Sequence, residues 1–374
     1  MAYKFIYVDD AQHELEQGMI HALEADGDIK ITFSGPRNWE DLIDFLKSEL
    51  PRHDGIILDL RLDDIPFDGK NASYKGSTVA QELRNLTKEN ALPDFPILLF
   101  SGTDKLEHYL DQTSKDLFDK IIDKTKIESE EYLNYSDFRN ILRWLADGYK
   151  FLSNVDRNDL LLVLAIEDIS LLDTRFVETY NSIKNKPIHI TAQFFLKEVL
   201  GRPSFLINEE ILASRLGVDR SSQNWSDVLE CFSDCVYKGA FAGKYNMWWM
   251  PKINRLWKER ISNEINIRNI SANKRVSLLK EVLNLSELIS IKKSARSKSD
   301  SFWTICKVRK IAIDTIDGFV ISGQDNKFPW QELEYISIDE ALRPSKGINI
   351  SSLEISRLSE LKAIIENNEK RIRR

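Results

Sequence analysis

The 374 residues read as an α/β domain on a five-stranded parallel sheet, followed by a mostly α-helical second domain with a small β element. Three observations point there. Up to about residue 128, short apolar runs alternate with amphipathic segments. Acidic, hydroxyl and lysine side chains gather just past the ends of those runs. Beyond residue 150 the apolar period is helical, and strand-like alternation returns only near 302–323.

Taken in order, YKFIYV (3–8) is a strand that ends on Asp9 and Asp10. Residues 12–25 carry Leu15, Met19, Ile20 and Leu23 at helical spacing, and 29–33 make a short strand. A helix over 39–50 sets Leu42, Ile43, Phe45 and Leu46 on one face. GIILDL (55–60) is a buried strand, followed by a polar loop and a helix over 77–89. PILLF (96–100) closes on Ser101 and Gly102. A helix around 105–116 leads to a last strand, 120–122, that ends at Asp123 and Lys124. Uninterrupted apolar strands between amphipathic helices predict a parallel sheet covered on both faces. Such sheets bind ligands beyond the carboxyl ends of their strands, where these polar residues fall.

The boundaries follow: a first domain over 1–128, a connecting helix within 129–150, and a second domain over 151–374. In the second, 157–200 and 208–233 read as helical, the latter broken near Gly217. Helical pattern continues over 247–290, around Trp248, Trp249 and Trp257. A basic loop, KKSARSKSD (292–300), precedes the alternating FWTICKVRKIAI and DGFVISG. A final helix spans 352–374 and ends in a basic tip, which suits a helix C-terminus.

Composition narrows the class. No run of 18 apolar residues exists, so no membrane span is expected. The start lacks a basic stretch followed by a long apolar one, so no secretory leader is expected and the cytoplasm is the expected setting. Cys231, Cys235 and Cys306 suit a reducing compartment. Cys231 and Cys235 lie four apart with no histidine nearby and read as buried small hydrophobes. The net charge of −7 is uneven. Residues 1–150 hold 18 Lys and Arg against 30 Asp and Glu, whereas 151–374 hold 34 against 29. The acidic half argues against nucleic acid, and the mildly basic half permits it without demanding it.

The side chains at the strand ends fit the movement of a phosphoryl group onto a carboxylate. Asp9, Asp10 and Asp59 converging in one crevice repel one another unless a divalent cation joins them, and hard oxygen donors favour Mg²⁺. Lys124 and the Ser101 hydroxyl would hold phosphoryl oxygens. Asp59 is an oxygen nucleophile that is already ionised at neutral pH.

These elements (the acidic pair in FIYVDD, the acceptor in DGIILDL, the hydroxyl in PILLFSG and the lysine in KIIDK) resemble the receiver domain of two-component response regulators. The resemblance covers about residues 1–128 and implies a flavodoxin-like fold. It also implies that Asp59 is phosphorylated by a partner histidine kinase. Asp9, Asp10, Asp59 and the backbone carbonyl of Arg61 would bind Mg²⁺, while Ser101 and Lys124 contact the phosphoryl group. Three departures stand out. The loop over 63–75 is about nine residues longer than in that family and would act as a lid or a partner-selective surface. Ile121 occupies the place of the aromatic whose rotation reports phosphorylation. Thr125 replaces the proline that usually follows the lysine.

The second domain has two readings. The segment 208–222 (NEEILASRLGVDRSS) resembles the front of a helix-turn-helix, which would make the protein a DNA-binding transcription factor. The acidic residues that follow oppose this. Trp248, Trp249 and Trp257, with neighbouring lysines and arginine, read first as core or interface anchors and second as a stacking surface. KKSARSK reads as a solvated loop, and His189 has no catalytic company in sequence. No nucleotide loop, metalloprotease motif or hydrolase triad is present, so no catalytic output is expected. The favoured reading is a phosphoryl sink or protein-interaction regulator, with a receiver-containing effector as a further partner. The whole chain resembles regulators of bacterial phage-defence two-component systems of the Detocs type, which implies an antiviral role. Sequence fixes no oligomeric state.

Overall fold

The computed structural model describes residues 2–372 except 12, 36, 63–73, 112, 130–131 and 245. By contact the chain divides into two compact units that alternate along the sequence. The first gathers Met1–Ile166, Thr179–Lys197 and Gly239–Lys244. The second gathers Glu167–Glu178, Glu198–Lys238 and Tyr245–Arg374.

Five strands form the centre of the first unit: β1 (Tyr3–Val8), β2 (Ile29–Ser34), β3 (Gly55–Leu58), β4 (Ile97–Ser101) and β5 (Lys120–Asp123). All neighbours are parallel, in the order β2-β1-β3-β4-β5. This is the flavodoxin-like order, with its crevice between β1 and β3. Phe5 to Val8, Ile56 to Leu58 and Ile97 to Leu99 are essentially inaccessible, as expected where helices cover both faces. Val8 lies opposite Leu58 and Leu58 opposite Leu99, so these strands end abreast.

The covering helices are α1 (His13–Glu24), α2 (Trp39–Glu49), α3 (Gly76–Lys88), α4 (Thr103–Tyr109) and α5 (Tyr135–Asn154). Asn38 caps α2 by accepting the Asp41 N–H, with acids in its first turn and Lys47 in its last. The helix read from sequence as a connection, α5, opens on a capping box between Asn134 and Asp137. It buries Phe138, Leu142, Leu145, Tyr149 and Leu152, a stripe at helical spacing. On its other side Arg139 and Arg143 pair with Asp26 and Asp28.

Three further helices follow: α6 (Leu160–Leu164), α7 (Thr174–Ile183) and α8 (Ile188–Gln193). The first unit takes α6, the end of α7, α8 and the turn 239–244. Glycine is required at two contacts here. A Cβ on Gly148 would stand 2.0 Å from the Phe241 ring, and one on Gly239 would stand 2.6 Å from the Val163 carbonyl. A buried polar network completes the unit. Arg84 pairs with Asp119 at 2.9 Å and Asp94 at 3.7 Å. Tyr149 donates to Asp119 at 2.8 Å, and His189 Nδ1 meets Asp94 at 2.9 Å.

In the second unit, β6 (Leu206–Asn208) pairs antiparallel with β7 (Met247–Trp249). Helices α9 (Glu209–Leu216), α10 (Trp225–Cys231), α11 (Met250–Leu256) and α12 (Ala272–Leu283) pack around Trp225, Trp248 and Trp257. The strand β7 corrects the helical expectation over 247–290. MWWM is apolar throughout and is buried on both sides, so its pattern does not distinguish strand from helix. Helix begins at Met250, where Pro251 suits a first turn. The break expected near Gly217 is a left-handed cap (φ 73°) that packs against Ala272.

The small β element comprises two hairpins, β8 (Thr304–Ile305) with β9 (Ala312–Ile313) and β10 (Phe319–Val320) with β11 (Tyr335–Ile336). It therefore reaches further along the chain than 302–323. Helices α13 (Ile338–Leu342) and α14 (Ile355–Ile372) follow. Among the described residues no helix is long and apolar enough to cross a membrane.

Candidate acidic site at the carboxyl edge of the sheet

Strand register builds this site. Val8 and Leu58 are partners, and the Asp59 N–H continues the ladder by donating to the Val8 carbonyl at 2.9 Å. The residues one step past β1 and β3, Asp9 and Asp59, therefore stand side by side in the crevice. Each of Asp9, Asp10 and Asp59 offers an oxygen within 4.8 Å of the others, and all three residues are buried. Ser101 lies opposite Asp123 at the end of β4, which brings Lys124 one step past β5. Gly76 closes in from the start of α3, where a Cβ would stand 2.0 Å from the Asp59 carbonyl oxygen.

Cations and donors offset this concentration of negative charge. Lys124 pairs closely with Asp9, lies 3.6 Å from Glu16 and 3.9 Å from Asp59 Oδ1. Its ammonium also sits 5.2 Å above the Phe100 ring and 5.3 Å above the Tyr7 ring. Lys105 Nζ is 3.0 Å from Asp59 Oδ2, the oxygen that also accepts the Arg61 N–H at 3.1 Å. The Ala11 N–H donates to Asp9 Oδ1 at 2.8 Å. The Ser101 hydroxyl is buried and forms no hydrogen bond of good geometry, yet it sits near enough to Asp59 to help hold its carboxyl down.

Burial and the charge of Asp9 nonetheless win at Asp59. Its pKa is raised above the ordinary aspartate value, with Lys124 and Lys105 pulling the other way. Tyr7 is pushed well above the usual phenol range, first by burial and then by Asp9 and Glu16. It donates to Asp9 and, at 3.1 Å, to Glu16 Oε2. A buried trio of carboxylates that raises the pKa of its central member fits a divalent cation. Two unit charges about 4.8 Å apart repel by about 3 kcal/mol even at an effective dielectric of about 20. All-oxygen donors of this kind suit Mg²⁺.

Asp9, Asp10, Asp59, Ser101 and Lys124, identified from sequence, thus come together. Arg61 contributes an N–H to Asp59. Ile121 is half-buried against the core, and no peptide among the described residues is cis. Most of the loop over 63–75 lies outside the described residues. Arg61, two residues before it, and Lys75, its last residue, form a β-bridge, and both place their cations over the Tyr109 ring, at 4.6 and 5.3 Å. Sequence reasoning missed Lys105, Tyr7 and Glu16. Lys105 falls one turn into α4, where no apolar run announces it. The spacing signal was present, since Lys105 follows Ser101 by four residues and the strand end points at the crevice.

Other singled-out residues lie elsewhere. Ile211 through Leu216 of the segment 208–222 are buried. The exposed residues of the following α10 are Ser226 and Glu230, which offer no cation to a phosphate backbone. Trp248, Trp249 and Trp257 are core. Cys231, Cys235 and Cys306 are free thiols. Lys292 to Asp300 run outside helix and strand. His189 has a carboxylate partner after all, Asp94, which is 95 positions away in sequence.

No protein-family model matches the sequence, and no curated protein matches it. Solved structures similar to this chain include the signal receiver domain of a Luxo repressor protein from Vibrio parahaemolyticus. It is 13% identical, covers 40% of this chain and 94% of its own, and has a TM-score of 0.28. A sensor protein from Polaromonas sp. JS666 is 13% identical over 39% of this chain and 98% of its own, with a TM-score of 0.28. The complex of the CheA3 P1 domain with CheY6 from R. sphaeroides gives 19% identity over 39% of this chain and 97% of that one, with a TM-score of 0.26. The fold assignment rests on the strand order and register described above.

Proposed function

We propose that the first unit is a phosphoacceptor of the response-regulator type, in which Asp59 takes a phosphoryl group from a partner histidine kinase. The observation that carries this reading is the buried trio Asp9, Asp10 and Asp59 with Lys124 bridging Asp9 and Asp59. A purely structural cluster gains nothing from three buried acids, whereas phosphoryl transfer needs a nucleophile, cation-binding oxygens and a fixed ammonium in one crevice. Asp9, Asp10 and Asp59 would hold Mg²⁺, with the Arg61 carbonyl as a further donor. The ion supplies charge neutralisation on the transferring oxygens. An Asp59 oxygen attacks phosphorus as the donor's bond breaks. Lys124 and the unpartnered Ser101 hydroxyl hold phosphoryl oxygens, and the aromatic surround of Lys124 limits water.

The same reading assigns the output to protein contacts. Ile121 supplies no ring to rotate, and the buried face of α9 and acidic surface of α10 do not favour DNA. A phosphoryl sink, or a regulator that exchanges phosphoryl groups with another receiver-containing protein, is the proposed role. The antiviral setting belongs to this proposal and rests on the resemblance of sequence, while the proposed cytoplasmic setting rests on cysteines that suit a reducing compartment. No catalysis beyond phosphoryl acceptance is proposed.

The test is incubation with acetyl phosphate and Mg²⁺, read by intact mass. Wild type is expected to gain one phosphoryl group and Asp59→Asn none. Equal labelling of both proteins, or of neither, would overturn the assignment.

A further inference from the structure

The cation nearest Asp59 is not the one at the end of β5. Lys124 is shared among Asp9, Glu16 and Asp59 and stays 3.9 Å from the last of these. Lys105 Nζ lies 3.0 Å from Asp59 Oδ2. The two lysines reach the carboxylate through different oxygens, Lys124 nearer Oδ1 and Lys105 on Oδ2. Lys105 keeps about a third of its side chain exposed, 32%, while Asp59 is almost fully buried at 1%. It therefore stands at the mouth of the crevice.

The helix that carries Lys105 is held at both ends. Thr103 donates to Asp123 Oδ2 at 2.6 Å and shares a 2.7 Å contact with Thr125 Oγ1. At the other end, Tyr109 lies under the Arg61 guanidinium and the Lys75 ammonium. These contacts hold the helix from which the Lys105 side chain reaches Asp59.

We propose that Lys105 is a second phosphoryl-binding cation, which takes hold of the group once Asp59 carries it and retards its hydrolysis. This rests on the phosphoacceptor reading above. In loading, an Asp59 oxygen forms a bond to phosphorus as the bond from phosphorus to the acetyl oxygen of acetyl phosphate breaks, and acetate leaves. In loss, a water oxygen attacks phosphorus and the bond from phosphorus to the Asp59 oxygen of the acyl phosphate breaks. The carboxylate is regenerated and inorganic phosphate departs with the water's protons. Water reaches phosphorus in line with the bond to the Asp59 oxygen, from the open side. An ammonium at the mouth that binds a phosphoryl oxygen both occupies that side and orders the group.

Before phosphorylation the same charge acts against the metal. Lys105 competes with a cation for Asp59, so removing it strengthens Mg²⁺ binding while weakening retention of phosphate. Mere damage to the fold would weaken both. The experiment compares full-length wild type, Lys105→Ala and Lys105→Arg. Mg²⁺ affinity is measured by calorimetry, and phosphoryl lifetime by intact mass after acetyl phosphate is removed. In Lys105→Ala, Mg²⁺ binding is expected to tighten and the lifetime to shorten, each by about twofold to fivefold. Lys105→Arg should restore most of the lifetime. Unchanged lifetime in Lys105→Ala, or loss of Mg²⁺ affinity together with lifetime, overturns the inference. Wild type that binds Mg²⁺ and takes no phosphoryl group overturns the phosphoacceptor reading, and this inference with it.

Discussion

The surroundings of Asp59 oppose its charge, and that tension is measurable. Burial and Asp9 raise its pKa in the folded protein above the unfolded value. A carboxyl raised in this way binds its proton more tightly when folded. Its contribution to stability is therefore present below the ordinary aspartate value of about 3.9 and is lost as pH rises through the folded pKa. Asp59→Asn, which is neutral throughout, is expected to melt higher than wild type at pH 7. The gain should shrink as pH is lowered toward 4, and a gain that is flat with pH would contradict the assignment. Adding Mg²⁺ should raise the melting temperature of wild type more than that of Asp59→Asn. A second substitution tests the backbone behind the acceptor. Gly76→Ala places a methyl 2.0 Å from the Asp59 carbonyl oxygen and should cost about 1–3 kcal/mol in a urea titration. Most of this site was legible because Asp9, Asp59, Ser101 and Lys124 each end an apolar run. Lys105 was missed, because its spacing from Ser101 speaks only once the path of α4 out of the strand is known.

Among the elements, α5 shows what periodicity can and cannot say. An amphipathic helix was readable within 129–150, but its capping box at Asn134, its run to Asn154 and what its stripe packs against were not. Two partners come from far along the chain, Phe241 against Gly148 and the helix α8 against α5. Such pairings leave no local signal. Asn134→Ala removes the side chain that accepts the Asp137 N–H at 2.9 Å, and about 1 kcal/mol should be lost from the urea unfolding free energy. A loss near zero would mean that the helix start is held by its packing alone. The strand β7 failed to announce itself for a related reason. Tryptophans buried on both sides carry neither a two-residue nor a 3.6-residue period. The hairpins near the end of the chain were easier, since half-exposed strands alternate.

For the molecule as a whole, the division that composition drew near residue 150 is not where contacts divide the chain. The acid-rich half ends within α5, yet the first unit also claims Thr179–Lys197 and Gly239–Lys244. A fragment ending at residue 154 keeps the sheet and all five helices around it but lacks Phe241, His189 and Lys197, the last paired with Asp116 at 2.7 Å. It should unfold at a lower urea concentration than the first unit does in the full chain, as followed by hydrogen exchange of β3 and β4. Equal protection in both would show that the added segments are ornament. The alternation of units also sets a timetable. On the ribosome the sheet and its five helices are complete by residue 154, but the turn that seats on Gly148 emerges 90 residues later. At about 5–20 residues per second, that leaves the nascent unit unfinished for roughly 5–20 s. During that interval Gly148 of α5 lacks the ring that covers it in the finished unit. A gene rearrangement that moved only residues 1–154 would carry that uncovered position permanently into its new host protein.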